Sequence, residues 1–175
     1  MIVLGIDPGL ASTGYGVVCT HARADARGRA TGGLAALDGG VIETAAGLVV
    51  ERRLADIHDA VEALLIEHRP DAMALEELYF GQNARTAFSV GQGRGAAMLA
   101  AGQRGVPCAS YTPQQVKGAV CGNGRADKEQ VARMVTMLLG LSGEAPADHA
   151  ADALAVAICH ANRSPLARAL EEALS

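Results

Sequence analysis

Tryptophan is absent, and the 175 residues include only three Tyr and two Phe. A core built from this sequence must be packed by Ala, Leu, Val and Ile, in a chain that is 50% apolar. A chain of this length can bury roughly 70% of its unfolded surface, enough to sustain such a core. Charge is also scarce, at 19%, with no like-charged run longer than two, which excludes a disordered or solvating chain. The apolar stretches fall far short of the roughly 20 residues of a membrane span, so no membrane contact is expected. The opening Met1-Ile2-Val3-Leu4-Gly5-Ile6-Asp7 has no basic n-region and meets an acid at once, unlike a signal peptide. Cys19, Cys108, Cys121 and Cys159 stand far apart with no Cys-x-x-Cys pair, which excludes a zinc ribbon and fits free thiols in a reducing compartment. The expectation is a cytoplasmic protein with a single domain over residues 1–175.

Lysine is limited to Lys117 and Lys128, against thirteen Arg. Both lysines fall in residues 81–128, where Arg85, Arg94, Arg104 and Arg125 join them against Asp127 alone. That segment carries +5 and the rest −9, within an overall −4. A local basic patch on an acidic molecule can touch phosphates without coating the protein in nucleic acid. A solvated basic helix face would leave the same composition.

Residues 2–7 read as a buried strand closed by Pro8-Gly9, and 13–20 and 34–44 as two more strands. The polar stretch His21–Gly33 between them reads as an exposed hairpin loop. Apolar residues at Leu54, Ile57, Val61, Leu64 and Leu65 recur with helical period, and Pro70 closes that helix. Residues 72–75 form a short apolar run that delivers Glu76 at its end. Residues 83–104 are helix-like despite Gly91, Gly93 and Gly95, which suggest close backbone approach. Val106–Tyr111 is a fifth strand, Thr112–Arg125 a loop-rich stretch, and 127–139 and 149–162 two final helices. Three early strands followed by alternating strands and helices predict an α/β fold, a mixed five-stranded sheet with helices on both faces.

Asp7 and Glu76 each end a strand, and two strands finishing at one sheet edge can set their carboxylates side by side. Such a pair repels itself unless a cation lies between, which points to oxygen-bound Mg²⁺ or Mn²⁺. On the last helix His149 and Asp152 are three apart and share a face, adding an imidazole and a third acid if the helix packs on that edge. Plainer roles exist: Asp148 reads as a helix N-cap accepting from N–H groups near residue 151, Glu77 as a solvated neighbour, and a strand-end Asp as a turn residue.

Gly5-Ile6-Asp7-Pro8-Gly9, Ala74-Leu75-Glu76-Glu77, Gly91-Gln92-Gly93-Arg94-Gly95, Gln115-Val116-Lys117 and His149-Ala150-Ala151-Asp152-Ala153-Leu154-Ala155 resemble, in order and spacing, the RuvC-type Holliday-junction resolvases. The resemblance spans nearly the whole chain. It implies a ribonuclease-H-like fold and a homodimer that cuts four-way DNA junctions by paired symmetric nicks in recombination and repair. It implies two divalent metals per site held by Asp7, Glu76, His149 and Asp152, with His149 marking the His-bearing subset of the family. Lys117 and Lys128 match lysines near the scissile phosphate, and Tyr79 stands where many members carry a Phe that stacks on a junction base. With Arg85, Arg94 and Arg125 these form the expected DNA-binding set. Branch-migration proteins of the RuvA and RuvB type are the implied partners. The imidazole, a better ligand for Mn²⁺ than for Mg²⁺, implies a preference for Mn²⁺.

Other readings remain at this stage. Asp7-Pro8-Gly9-Leu10-Ala11-Ser12-Thr13-Gly14 is similar to the phosphate-binding turn of actin-like and sugar-kinase-like ATP-binding proteins. Those need two such domains closing over the nucleotide, and 175 residues supply one. A silent junction-binding module, or a related single-domain nuclease acting on other nucleic-acid structures, would share many of the same residues.

Overall fold

The computed structural model describes residues 1–24, 30–77, 84–142 and 146–163. In chain order the elements are strands β1 (Ile2–Asp7), β2 (Ser12–Ala24) and β3 (Ala30–Glu43), helix α1 (Val50–His68), strand β4 (Ala72–Glu76), helix α2 (Ala84–Gln103), strand β5 (Cys108–Tyr111), and helices α3 (Pro113–Cys121), α4 (Lys128–Leu139) and α5 (Asp148–Arg163). The sheet order is β3-β2-β1-β4-β5. The first three strands meander antiparallel, whereas β4 and β5 run parallel to β1, their crossovers made by α1 and α2.

Alternation along the strands divides the core into two layers. Leu4, Ile6, Val17, Met73 and Leu75 face α1 and α2, meeting Ile57, Val61, Leu65, Ala97 and Ala101. Val3, Val18 and Ala74 face the other way, towards Val116 and Val120 of α3, Val131 and Val135 of α4, and the apolar run Leu154–Cys159 of α5. Small and branched side chains fill both layers, as the lack of aromatics requires. The four cysteines are free. Among the described residues, no helix is long and apolar enough to cross a membrane.

Two stretches depart from the sequence reading. The β2–β3 ladder continues to the Ala24–Ala30 pair, so most of the expected 21–33 loop is paired strand; residues 25–29 lie outside the described part. Small and polar residues there give no apolar alternation in the sequence. The supposed loop from Thr112 contains α3, whose start is a capping box: Thr112 Oγ1 accepts from Gln115 N, and Gln115 Oε1 accepts from Thr112 N. Pro113 at the first helical position is preorganised for it. The Thr-Pro-x-Gln signal was present in the sequence but lies in a short helix flanked by turns.

Helix α5 lies directly on the backbones of β1 and β2. Gly5 pairs with Gly16 and Asp7 with Gly14 across these strands. A Cβ on Gly5 would run into the Ala153 carbonyl oxygen, one on Gly14 into the His149 carbonyl, and one on Gly16 into the Leu154 side chain. Bare backbone at these positions sets the height of α5 above the sheet. Gly5→Ala should therefore cost about 1–3 kcal/mol of stability by overpacking. Gly102→Ala, on α2 with open space around the site, should gain about 0.5–1 kcal/mol from helix propensity. Urea denaturation of both variants checks this; equal midpoints would contradict the close-seating account.

Candidate active site

Ile6 lies opposite Leu75 in the parallel β1–β4 pair, so the next residues, Asp7 and Glu76, end adjacent strands at the same edge. Because Ile6 and Leu75 point into the α1–α2 layer, both acids point to the α5 side. They are half-buried. The first turns of α5 bring in the remaining candidates: His149 Nδ1 is 2.7 Å from Asp7 Oδ2, and Asp152 sits one turn on. Lys128, at the start of α4, places its Nζ 3.2 Å from Asp148 Oδ2 and 3.4 Å from Asp152 Oδ2. A cleft of about 280 Å³ opens beside them, walled by Glu76, Asp152, Lys117 and Lys128 over Pro113, Val116, Val131 and Val156. Four of the sequence candidates for chemistry thus share one cleft, and His149 and Asp7 adjoin it through direct contact with each other.

Asp148 is not the N-cap expected of it. Ala151 N donates to Ala147 O, so the helix begins one residue earlier and Asp148 occupies the first turn, with its carboxylate turned to Lys128. Glu77 is exposed, as anticipated.

Burial, reinforced by the charges of Asp7 and Asp152 and opposed by Lys117, pushes the Glu76 carboxyl up to about 7. Burial also raises Asp7; the hydrogen bond from His149 pulls it back, and Asp152 adds to the rise. Three mutually repelling carboxylates and an imidazole, with hard oxygen donors in the majority, are a fitting set for Mg²⁺ or Mn²⁺, whose charge would relieve that repulsion. Among the described residues, the three-ligand group whose ligand atoms all lie within 4.8 Å is elsewhere: His58, Asp59 and Glu62 on α1. Those groups already have partners, His58 Nε2 with Gln103 Oε1 at 2.8 Å and Glu62 Oε1 with Arg104 Nη2 at 2.8 Å.

The arginines divide. Arg125 is exposed in the turn between α3 and α4, three residues before Lys128. Arg94 is not brought to the cleft: it lies on the α1–α2 side, where its Nη2 donates to Ser110 Oγ at 2.5 Å and its Nη1 lies 3.1 Å from Met98 Sδ. Gly93 of the same glycine cluster packs against the Gly9 carbonyl, whereas Gly95 is open to solvent. Arg85 is in the first turn of α2 with its side chain outside the described part, and Tyr79 lies outside the described residues altogether.

A mixed sheet of this order with acids at the ends of two central parallel strands, completed by a helix that carries a further acid, defines a divalent-metal-dependent nuclease on a ribonuclease-H-like fold. The model of one family, crossover junction endodeoxyribonuclease RuvC, matches residues 3–160. The chain belongs to the RuvC family. It is 50% identical to the RuvC of Moorella thermoacetica over 94% of this chain and 93% of that one. It is 49% identical to the RuvC of Thermomicrobium roseum over 91% and 92% respectively. The solved structure of Thermus thermophilus RuvC superposes with a TM-score of 0.84 at 39% identity, covering 95% of this chain and 96% of that one. A second structure of that protein, in complex with a Holliday junction substrate, superposes equally well. A yeast mitochondrial Holliday junction resolvase shares the fold alone, with a TM-score of 0.58 at 14% identity. The ATP-binding reading is not favoured by any of these.

The raised carboxyl of Glu76 has a measurable consequence in metal-free protein. Its folded pKa lies above its unfolded value of 4.5, so its contribution to stability is present in acid and is lost as pH rises through about 7. With EDTA at pH 8, Glu76→Gln should stabilise the fold by about 1–2 kcal/mol, allowing for solvent screening of a part-exposed group. The gain should shrink towards zero at pH 5. Thermal melts across that range test the sign, and a gain that grew in acid would refute it.

Proposed function

We propose that this chain is a homodimeric endonuclease that resolves four-way DNA junctions by paired symmetric nicks, with Asp7, Glu76, His149 and Asp152 as ligands for two divalent ions per site. The observation that carries this reading is the meeting of two strand-end acids with the first turns of α5 beside a cleft that holds both lysines of the chain. The junction substrate is supported by the Thermus relative solved with a Holliday junction. Bound there, the ions supply activation of a water nucleophile and stabilisation of the leaving oxygen.

The protein's own residues do the rest. Asp7 and Glu76, fixed by strand backbone, hold the centre rigidly. The His149 Nδ1 contact with Asp7 leaves Nε2 as the ring's outer nitrogen. Lys117 and Lys128, as compact point charges lining the cleft, approach the scissile phosphate. Arg125 and Arg85 extend the phosphate contacts, and Tyr79 stacks on a junction base. Arg94 lies away from this centre, on the α1–α2 side, where its Nη1 and Nη2 are directed to Met98 and Ser110.

The dimer is supported by α2. Phe88 is 68% exposed and Leu99 56% exposed. With Gly95 between them they follow the seven-then-four spacing of a single helix stripe, and Gly95 lets a second helix approach closely. The natural setting is the cytoplasm, alongside a RuvA and RuvB type branch-migration complex.

Asp7→Asn should abolish nicking of a synthetic four-way junction while junction binding persists, because metal charge is lost and the basic surface is not. Binding that fell in proportion to cutting would overturn the assignment. His149 makes the site a better host for Mn²⁺ than for Mg²⁺, so cleavage should be stronger with Mn²⁺ at equal concentration, and His149→Asp should narrow the gap. Titrating both ions against both proteins tests this; identical Mn²⁺/Mg²⁺ ratios would remove His149 from the ligand set.

A further inference from the structure

Asp148 is 83% exposed and has no capping duty, since Ala147 supplies the first carbonyl of α5. A negative charge beside a surface that must receive DNA phosphates weakens binding unless it serves another purpose. Its contact is with Lys128, whose Nζ reaches two acceptors on successive turns of α5: Asp148 Oδ2 at 3.2 Å and Asp152 Oδ2 at 3.4 Å. Under the proposed function Asp152 is a metal ligand. A divalent ion and an ammonium then compete for the Asp152 carboxylate, and the ion has twice the charge. Lys128 keeps one acceptor, on a flexible four-carbon stem that is itself 59% exposed.

We propose that Asp148 is a positioning residue: its carboxylate tethers the Lys128 ammonium at the rim of the cleft, aimed at the scissile phosphate, when Asp152 is engaged by metal. This inference rests on the reading of Lys128 given above. The capping box of α4, in which Asp127 Oδ1 accepts from Gln130 N and Gln130 Oε1 from Asp127 N, fixes the base of Lys128. Asp148 fixes its far end. The two restraints come from different helices, so together they define the direction of the ammonium.

The roles of Asp148 as tether and as unwanted charge predict opposite signs. Asp148→Asn should slow single-turnover cleavage at saturating enzyme by about three- to fivefold, the range of a part-exposed ion pair. Junction affinity should stay equal or tighten. Asp148→Glu should restore the rate, and Asp148→Asn should add nothing in a Lys128→Ala background. A second readout needs no catalysis. Because the chain has two lysines, selective isotopic labelling gives two side-chain signals. In Mg²⁺ without DNA, Asp148→Asn should move the Lys128 signal towards its free-chain position and leave that of Lys117 in place. An unchanged or faster cleavage rate, full additivity with Lys128→Ala, or an unmoved Lys128 signal would each overturn the tether. If Lys128→Ala itself leaves cleavage unchanged, the wider assignment of Lys128 fails as well. If Lys128→Ala is slow and Asp148→Asn is not, the tether alone fails.

Discussion

The contact on which the rest of the molecule depends is that of α5 with bare strand backbone. Gly5, Gly14 and Gly16 form a patch with no side chains on adjacent strands, and the helix settles until its own carbonyls meet the sheet. An ordinary helix-on-sheet packing, held off by side chains, would leave His149 out of reach of Asp7. The 2.7 Å His149–Asp7 contact exists because Gly14 lies under the His149 carbonyl. The glycines cost backbone entropy in strands, a loss offset by the uninterrupted buried run from Ala153 to Cys159. Seating and chemistry are one constraint.

That seating also produces the electrostatics. Covering the strand ends with a helix removes water from Asp7 and Glu76, and burial is the leading cause of the rise in both carboxyls. The acids are therefore held in a state that disfavours their own ionised forms, and the favourable responses are cationic. Lys117 opposes the rise of Glu76, and Lys128 that of Asp7. Lysine suits these places because a point charge can be displaced by a divalent ion without the loss of a bidentate geometry. Among the described residues, arginines pair outside the cleft: Arg94 joins α2 to β5, and Arg104 joins it to Glu62 of α1.

Much of this was legible in the sequence, for identifiable reasons. Strands β1 and β4 announce themselves as apolar runs ending in an acid, and period-two alternation sends both acids to one face. The three-residue spacing of His149 and Asp152 puts them on one helix face. What escaped was local hydrogen bonding that leaves no apolar pattern. The outer β2–β3 ladder, through Ala22, Gly32 and Gly33, is rich in small residues and carries no apolar alternation. Helix α3 has just two buried residues, Val116 and Val120, and depends on its capping box. Asp148 satisfied every compositional criterion for a cap, but a residue one step earlier took the role. No pattern in α5 itself shows that a lysine twenty residues away would claim its carboxylate.

The two faces of the sheet have different demands. On the α3–α5 face, three helices pack on the sheet, and the first turn of α5 is held by close backbone approach to Gly14 and by the His149–Asp7 contact, so the permitted movement there is small. On the α1–α2 face, the core layer is ordinary and the unusual feature is outward: Phe88, Gly95 and Leu99 on the solvent side of α2. Under the proposed function, paired cuts need a rigid centre in each copy and a fixed relation between copies. The candidate chemistry lies on one face and the apolar stripe on the other, so the two requirements fall on different helices. Gly93 against the Gly9 carbonyl is where the two meet, because it seats α2 on the turn that follows Asp7. A shift of α2 would thus reach the strand end at Asp7 through a backbone contact with no side chain to absorb it.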